Sequence, residues 1–168
     1  MVIADEKPPG ESFQVQTGEV EVSGFEVEFV GRFRERLSLN AALTWTDSEV
    51  TRSNGPDLGA ELPVVPGFQA SALADYTIQE GTFKGLGLGL GARYRGTHWG
   101  DANRTLSVPS FLLFDASLHY QWEGLKFGLH ARNLLDKYHV GSCYYRNSAG
   151  ICTAGEPLTV MANMSYQW

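Results

Sequence analysis

The chain has 168 residues, a net charge of −6 and only 19% charged side chains, which excludes the basic field that a nucleic-acid binder needs. No apolar run reaches the roughly 20 residues of a membrane-crossing helix. The start, Met1-Val2-Ile3-Ala4 before Asp5, Glu6 and Lys7, has neither the basic nor the apolar region of a secretory signal. Nineteen glycines and 12% aromatic residues suit sheets with tight turns.

A side-chain period of two, the mark of a strand with one apolar and one polar face, recurs seven times. The first strand, 19–33, sets Phe25, Val27, Phe29 and Phe33 against Glu26, Glu28 and Arg32. Val20 and Val22 are out of phase with that set, so Ser23-Gly24 predicts a bulge. A tight turn at 34–36 leads to the second strand, 37–51, where Leu37, Leu39, Ala41, Leu43 and Trp45 oppose Ser38, Asn40, Thr44 and Thr46. Residues 52–66 hold Asn54-Gly55-Pro56, Gly59, Pro63 and Pro66 and form a long loop. The third strand, 68–78, sets Phe68, Ala70, Ala72, Ala74, Tyr76 and Ile78 against Gln69, Ser71, Asp75 and Thr77.

After a polar turn at 79–85, the fourth strand, 86–95, opposes Leu86, Leu88, Leu90, Ala92 and Tyr94 to Gly87, Gly89, Gly91, Arg93 and Arg95. Two arginines buried in a soluble barrel would each need a partner; facing a hydrated lumen they need none. A loop at 99–109 precedes the fifth strand, 112–122, whose apolar side runs Leu112, Phe114, Ala116, Leu118, Tyr120 and Trp122. The minimal turn Glu123-Gly124 leads to the sixth strand, 125–132, which is expected to continue into Asn133-Leu134-Leu135-Asp136. A cysteine loop follows. The last strand, 158–168, puts Leu158, Val160, Ala162, Met164, Tyr166 and Trp168 on one face.

About ten residues per strand is the length that crosses a membrane when tilted. Connections alternate short (34–36, 79–85, 123–124) and long (52–66, 99–109, 144–156), as in outer-membrane barrels with short periplasmic turns and longer outside loops. Trp45, Tyr76, Tyr120, Trp122, Tyr166 and Trp168 lie near strand ends, where an aromatic girdle would be. The fold class is therefore all-β: an antiparallel, up-and-down, transmembrane β-barrel arc of about seven strands. An odd count leaves two unpaired edges in lipid, so residues 1–168 are expected to be one segment of a larger barrel, with 1–12 a poorly structured start. Two alternatives remain. One is a self-contained eight-stranded outer-membrane barrel, structural or adhesive, that uses residues 1–12 as a strand. The other is a soluble ligand-binding barrel.

Cys143 and Cys152 flank a short polar stretch. In an exported protein they are expected to close a small loop as a disulfide, the alternative being two unpaired thiols. Two thiols without a nearby His fall short of a metal site. Asp115, Ser117 and His119 share one strand face, with His130 on the next strand. That suggests a hydrolytic triad on paper. Without an oxyanion turn nearby, the expectation is a solvated polar network and no enzyme.

Several segments resemble one family. Gln16-Thr17-Gly18-Glu19-Val20 with Ser23-Gly24-Phe25-Glu26-Val27-Glu28, residues 37–50, Pro66-Gly67-Phe68-Gln69-Ala70, residues 89–96 and residues 108–115 are similar to strands of TonB-dependent siderophore receptors. Asn133-Leu134-Leu135-Asp136-Lys137-Tyr138 resembles that family's NLFDKxY segment, with Leu135 where Phe is usual. The cysteine pair and the terminal aromatic resemble the ferrichrome-type branch. The resemblance covers about residues 13–168. It implies the C-terminal part of a 22-stranded plugged barrel in the outer membrane of a Gram-negative bacterium, importing ferric siderophores without a resident cofactor or metal. These residues hold no counterpart of the plug, so the TonB complex would be met only through regions N-terminal to them. The barrel-assembly machinery would read a terminal signal at Tyr166 and Trp168, the latter where Phe is commoner. Tyr144, Tyr145 and Arg146, and more weakly Trp99, are the candidate siderophore contacts, because aromatics stack on flat ligand faces and Arg pairs with carboxylates. The alternative is a loop that only lids the barrel. Glu26, Glu28, Arg32, Arg93, Arg95 and Arg132 would line the lumen, pairing with one another or with the plug.

Overall fold

The computed structural model describes residues 18–146 and 149–168. In chain order its strands are β1 (Glu19–Phe33), β2 (Leu37–Arg52), β3 (Phe68–Thr77), β4 (Leu86–Arg95), β5 (His98–Trp99), β6 (Ser107–Val108), β7 (Phe111–Trp122), β8 (Leu125–Arg132), β9 (Val140–Arg146), β10 (Ala149–Ala154) and β11 (Thr159–Tyr166). Seven of them form one antiparallel sheet in the order β1-β2-β3-β4-β7-β8-β11. These seven are the strands that the period of two predicts. The expected poorly structured start, with the idea of an extra strand there, lies outside the described residues.

Cross-strand register turns the alternation into two chemically distinct faces. On the apolar face, Phe29, Ala41, Ala72, Ala92 and Phe114 form one row across five strands. A second row runs Leu37, Tyr76, Leu88, Leu118, Leu129 and Ala162. Aromatic residues bracket these rows. Phe25, Trp45 and Phe68 are partners at one end, with Phe25 and Trp45 ring centroids 5.7 Å apart. Tyr120 and Phe127 are partners at the other. From Trp45 to Leu37 is about 27 Å along the strand. A tilt of 35–45° reduces this to about 20 Å of depth, close to the apolar band of an outer-membrane barrel.

The polar face is crowded, and glycine makes the room. A Cβ on Gly87 would lie 2.2 Å from His119 Nε2, and one on Gly89 would lie 2.2 Å from Ser117 Oγ. The alternating glycines of β4 therefore let the larger polar side chains of β7 lie across it.

Four expectations need correction. The pairing of β1 with β2 runs unbroken through Ser23-Gly24, and the register shifts between Glu19 and Val20 instead. Val20 and Val22 are on the polar side because the strand outruns the apolar belt: Val20 faces Val50, which packs under the returning loop and is only 7% exposed. The environment changes sides there, and the backbone does not slip. β8 ends at Arg132, and Asn133 (φ 50°) and Asp136 (φ 47°) turn the chain out of the sheet. The loop 99–109 opens and closes on the short hairpin β5–β6. The cysteine loop is a second hairpin, β9–β10.

Burial is uneven. Among the described residues, the buried non-glycine positions are Ser48, Val50, Ala60, Pro66, His98, Asp101, Val108, Leu113, Asn133 and Cys143. All lie at or beyond the end that carries the long connections. The rest of the sheet is one layer, with a face for each of two surroundings.

Candidate ligand site

The long connections are tied to one another. Residues 53–67 fold back along β2 through Gly59 N–H to the Val50 carbonyl and Val50 N–H to the Ala60 carbonyl, both 2.9 Å. Leu62 N–H donates to Ser48 Oγ at 3.1 Å. The same loop reaches β5, where Val64 N–H donates to the Trp99 carbonyl at 2.6 Å. The turn between β5 and β6 is wound around Asp101. Its carboxylate accepts from the N–H groups of Asn103, Thr105 and Leu106 and from the Thr105 hydroxyl, at 2.7–3.1 Å. Burial pushes this carboxyl up, but those four donors outweigh it and hold the group below its ordinary range.

The second hairpin leans on the first. Cys143 is bonded to Cys152, its direct cross-strand partner. A Cβ on Gly100 would lie 2.4 Å from the Cys143 carbonyl oxygen, so the hairpins touch backbone to backbone. Tyr145 Oη and Thr105 Oγ1 share a hydrogen bond of 2.9 Å. The segment after β8 is held by Asn133, which is 1% exposed. Its Nδ2 donates to the carbonyls of Lys137 and Glu156, both at 3.0 Å, and its Oδ1 accepts from Lys137 N–H at 2.9 Å.

Below this cluster lies the polar face of the sheet. Two partner rows cross it at the level of the outer aromatic row: Glu26, Thr44, Gln69, Arg95 and Phe111, then Glu28, Ala42, Ser71, Arg93 and Leu113. Arg93 grips Asp115 with two hydrogen bonds, at 2.6 and 2.9 Å, and Asp115 also accepts from Asn133 N–H. Arg132 pairs with Glu156 at 3.1 Å. Deeper in the sheet, His119 faces Asp75 at 3.5 Å and Thr77 at 3.1 Å. That histidine is engaged by the neighbouring strand and not by Ser117. Arg95 is different: Nη2 donates to the Val64 carbonyl at 3.1 Å, and Nε is enclosed with no acceptor among the described residues. A cavity of about 360 Å³ opens between these rows, lined on this face by Thr44, Gln69, Ser71, Arg93, Arg95 and Phe111.

The four ligand-contact candidates do not converge. Tyr145 is turned with Cys143 toward β5–β6, whereas Tyr144 and Arg146 share the other face of β9 by alternation. Trp99 is half-buried in β5, its carbonyl taken by Val64. Tyr166 is on the apolar face opposite Leu125, and Trp168, beyond the last strand, is fully exposed. Sequence reasoning passed over Asp101, Asn133 and Gln69. Asp101 had a local signal, an Asp followed by Asn103, Thr105 and a short polar run.

A single-layer antiparallel sheet with one apolar face, one polar face and aromatic borders is a wall of a transmembrane β-barrel. The chain matches the model of a family described as TonB dependent receptor-like, beta-barrel, over residues 2–134, and it belongs to that family of the outer membrane. It is 32% identical over 166 residues to the ferrichrome outer membrane transporter/phage receptor of Escherichia coli, covering 96% of this chain and 22% of that protein. It is 31% identical over 169 residues to the ferrioxamine B receptor of Salmonella typhimurium, covering 98% and 24%. In fold it is similar to the ferric yersiniabactin uptake receptor of Yersinia pestis, with a TM-score of 0.79, 23% identity, and coverage of 88% of this chain and 23% of that one. The chain thus spans under a quarter of the length of these curated relatives.

Proposed function

We propose that the chain is the closing wall of a TonB-dependent receptor that carries ferric siderophores across the outer membrane. The observation that carries the reading is the joint one. The family model covers most of a sheet whose two faces suit lipid and water, and the relatives are named for ferrichrome and ferrioxamine B. In this reading the apolar face meets lipid, the polar face lines the bore, and the interlocked hairpins overhang the outer mouth. Tyr144 and Arg146, on the free face of β9, are the stronger ligand contacts of the four candidates. Tyr145 and Trp99 brace the hairpins. Coupling to TonB runs through regions outside these residues, and β11 with Tyr166 and Trp168 serves barrel assembly.

The test is iron uptake by cells whose own siderophore receptors are deleted and which produce the full-length gene product. Uptake of at least one ferric siderophore, lost when TonB is removed, is the expected result. A folded outer-membrane protein that imports no hydroxamate, catecholate or carboxylate chelate would refute the proposal.

A further inference from the structure

We infer that Arg95 forms a selectivity subsite for ferric chelates that carry a free carboxylate. The inference rests on the transport reading above and names the chemistry that reading leaves open. The two arginines of the cavity are not equivalent. Arg93 is neutralised by its two-pronged bond to Asp115. Arg95 has five N–H donors and no carboxylate partner among the described residues; one donor goes to a neutral carbonyl and another is shut away without an acceptor. A partly enclosed cation with unmet donors is a poor choice for stability. It is a good choice for gripping an anion, because the guanidinium fork matches the two oxygens of a carboxylate.

The surroundings give the site a direction. Gln69 is the cross-strand partner of Arg95 on one side and Phe111 on the other. Thr44 and Glu26 continue the row. Glu26 is three strands from Arg95, about 14 Å at the usual spacing. An anionic ligand is therefore drawn toward Arg95 and turned away from the Glu26 end, across a floor of small polar side chains. Phe111 supplies a flat apolar wall beside the charge. The cavity of about 360 Å³ suits one arm of a chelate and not a whole one. The level is that of the outer aromatic row, where a ligand entering from the long-loop side arrives first.

The experiment compares two probes on the full-length receptor: a ferric hydroxamate chelate with a free carboxylate, and the same chelate with that group as its neutral amide. Wild type is expected to prefer the carboxylate at least tenfold. Arg95→Gln should abolish the preference, Arg95→Lys should restore part of it, and Lys126→Gln, a cation near the opposite end of the same face, should leave it in place. Raising the salt should shrink the preference in wild type, a readout that needs no variant. Equal binding of both probes by wild type would overturn the inference and leave the transport reading standing. A preference that survives Arg95→Gln, with only a lower melting temperature, would overturn it as well and assign Arg95 to a carboxylate of the protein itself. If neither probe nor any other ferric siderophore binds, the transport reading fails first and this inference with it.

Discussion

Asn133 holds the chain where it leaves the sheet, and replacing it separates its backbone role from its hydrogen bonds. Asn133→Ala removes three hydrogen bonds, two to carbonyls and one from the Lys137 amide, at about 1 kcal/mol each as a net loss. It also places alanine at φ 50°, which adds about 1 kcal/mol that asparagine avoids. The total is about 4 kcal/mol. Asn133→Gly loses the same bonds without the backbone term, so about 3 kcal/mol. Asn133→Asp keeps the acceptor for Lys137 N–H but turns a carboxylate oxygen toward two carbonyls, and should be at least as damaging as alanine. Hydrogen exchange in the full-length protein reports this through amides whose own bonds avoid the Asn133 side chain: Leu134, bonded to the Phe114 carbonyl, and Leu158, bonded to Asp136 Oδ1. At 1.4 kcal/mol per decade, alanine should raise their exchange by two to three orders of magnitude. Exchange within threefold of wild type, or an aspartate variant as well protected as wild type, would show that the turn is held by something else.

Leu90→Arg puts a charge on the apolar face near mid-depth and should cost about 2–4 kcal/mol, whereas Ser71→Arg on the polar face should cost far less. Equal losses in thermal unfolding would contradict the assignment of faces. The lowered pKa of Asp101 means that its contribution to the β5–β6 turn is complete above the ordinary carboxylate range and disappears as pH falls through the lowered value, below about 4. Exchange of the Thr105 and Leu106 amides should rise over that acid window, and Asp101→Asn, which keeps one of the two acceptor oxygens, should leave the Asn103 amide and the Thr105 hydroxyl unpaired at every pH. Replacing both Cys143 and Cys152 by serine should loosen β9–β10 by about 2.5–3 kcal/mol in the chain-entropy picture. The change is checked by proteolysis at the hairpin tip and should leave the seven-stranded sheet intact.

The sheet was legible because a strand at a lipid–water boundary has to alternate, and β2, β3, β4 and β7 do so with few exceptions. Gly24 misled because alternation reports surroundings and not backbone: Val20 and Val22 moved to the other face by meeting the returning loop. The hairpins left no such trace. β5 and β6 have two residues each, too few for a period, and β9, Val140-Gly141-Ser142-Cys143-Tyr144-Tyr145-Arg146, has no steady apolar side because its neighbour is another hairpin and not lipid. The resemblance of residues 133–138 to a known segment flagged the place but not the task, since three hydrogen bonds from one asparagine depend on where Glu156 returns, 23 residues later. Arg93 and Arg95 read alike in sequence; only the register, which brings Asp115 within reach of one and leaves the other to a backbone carbonyl, tells them apart.

The concentration of buried side chains outside the membrane band has a consequence for engineering this receptor. The overhanging portion behaves like a small water-soluble protein whose pieces come from three separate stretches of chain, stitched through Val64 to Trp99, Gly100 to Cys143 and Tyr145 to Thr105. Transplanting a single such stretch into another receptor would sever those stitches and deliver a misshapen part. Moving all three together would transfer a finished unit onto any wall with the same strand spacing.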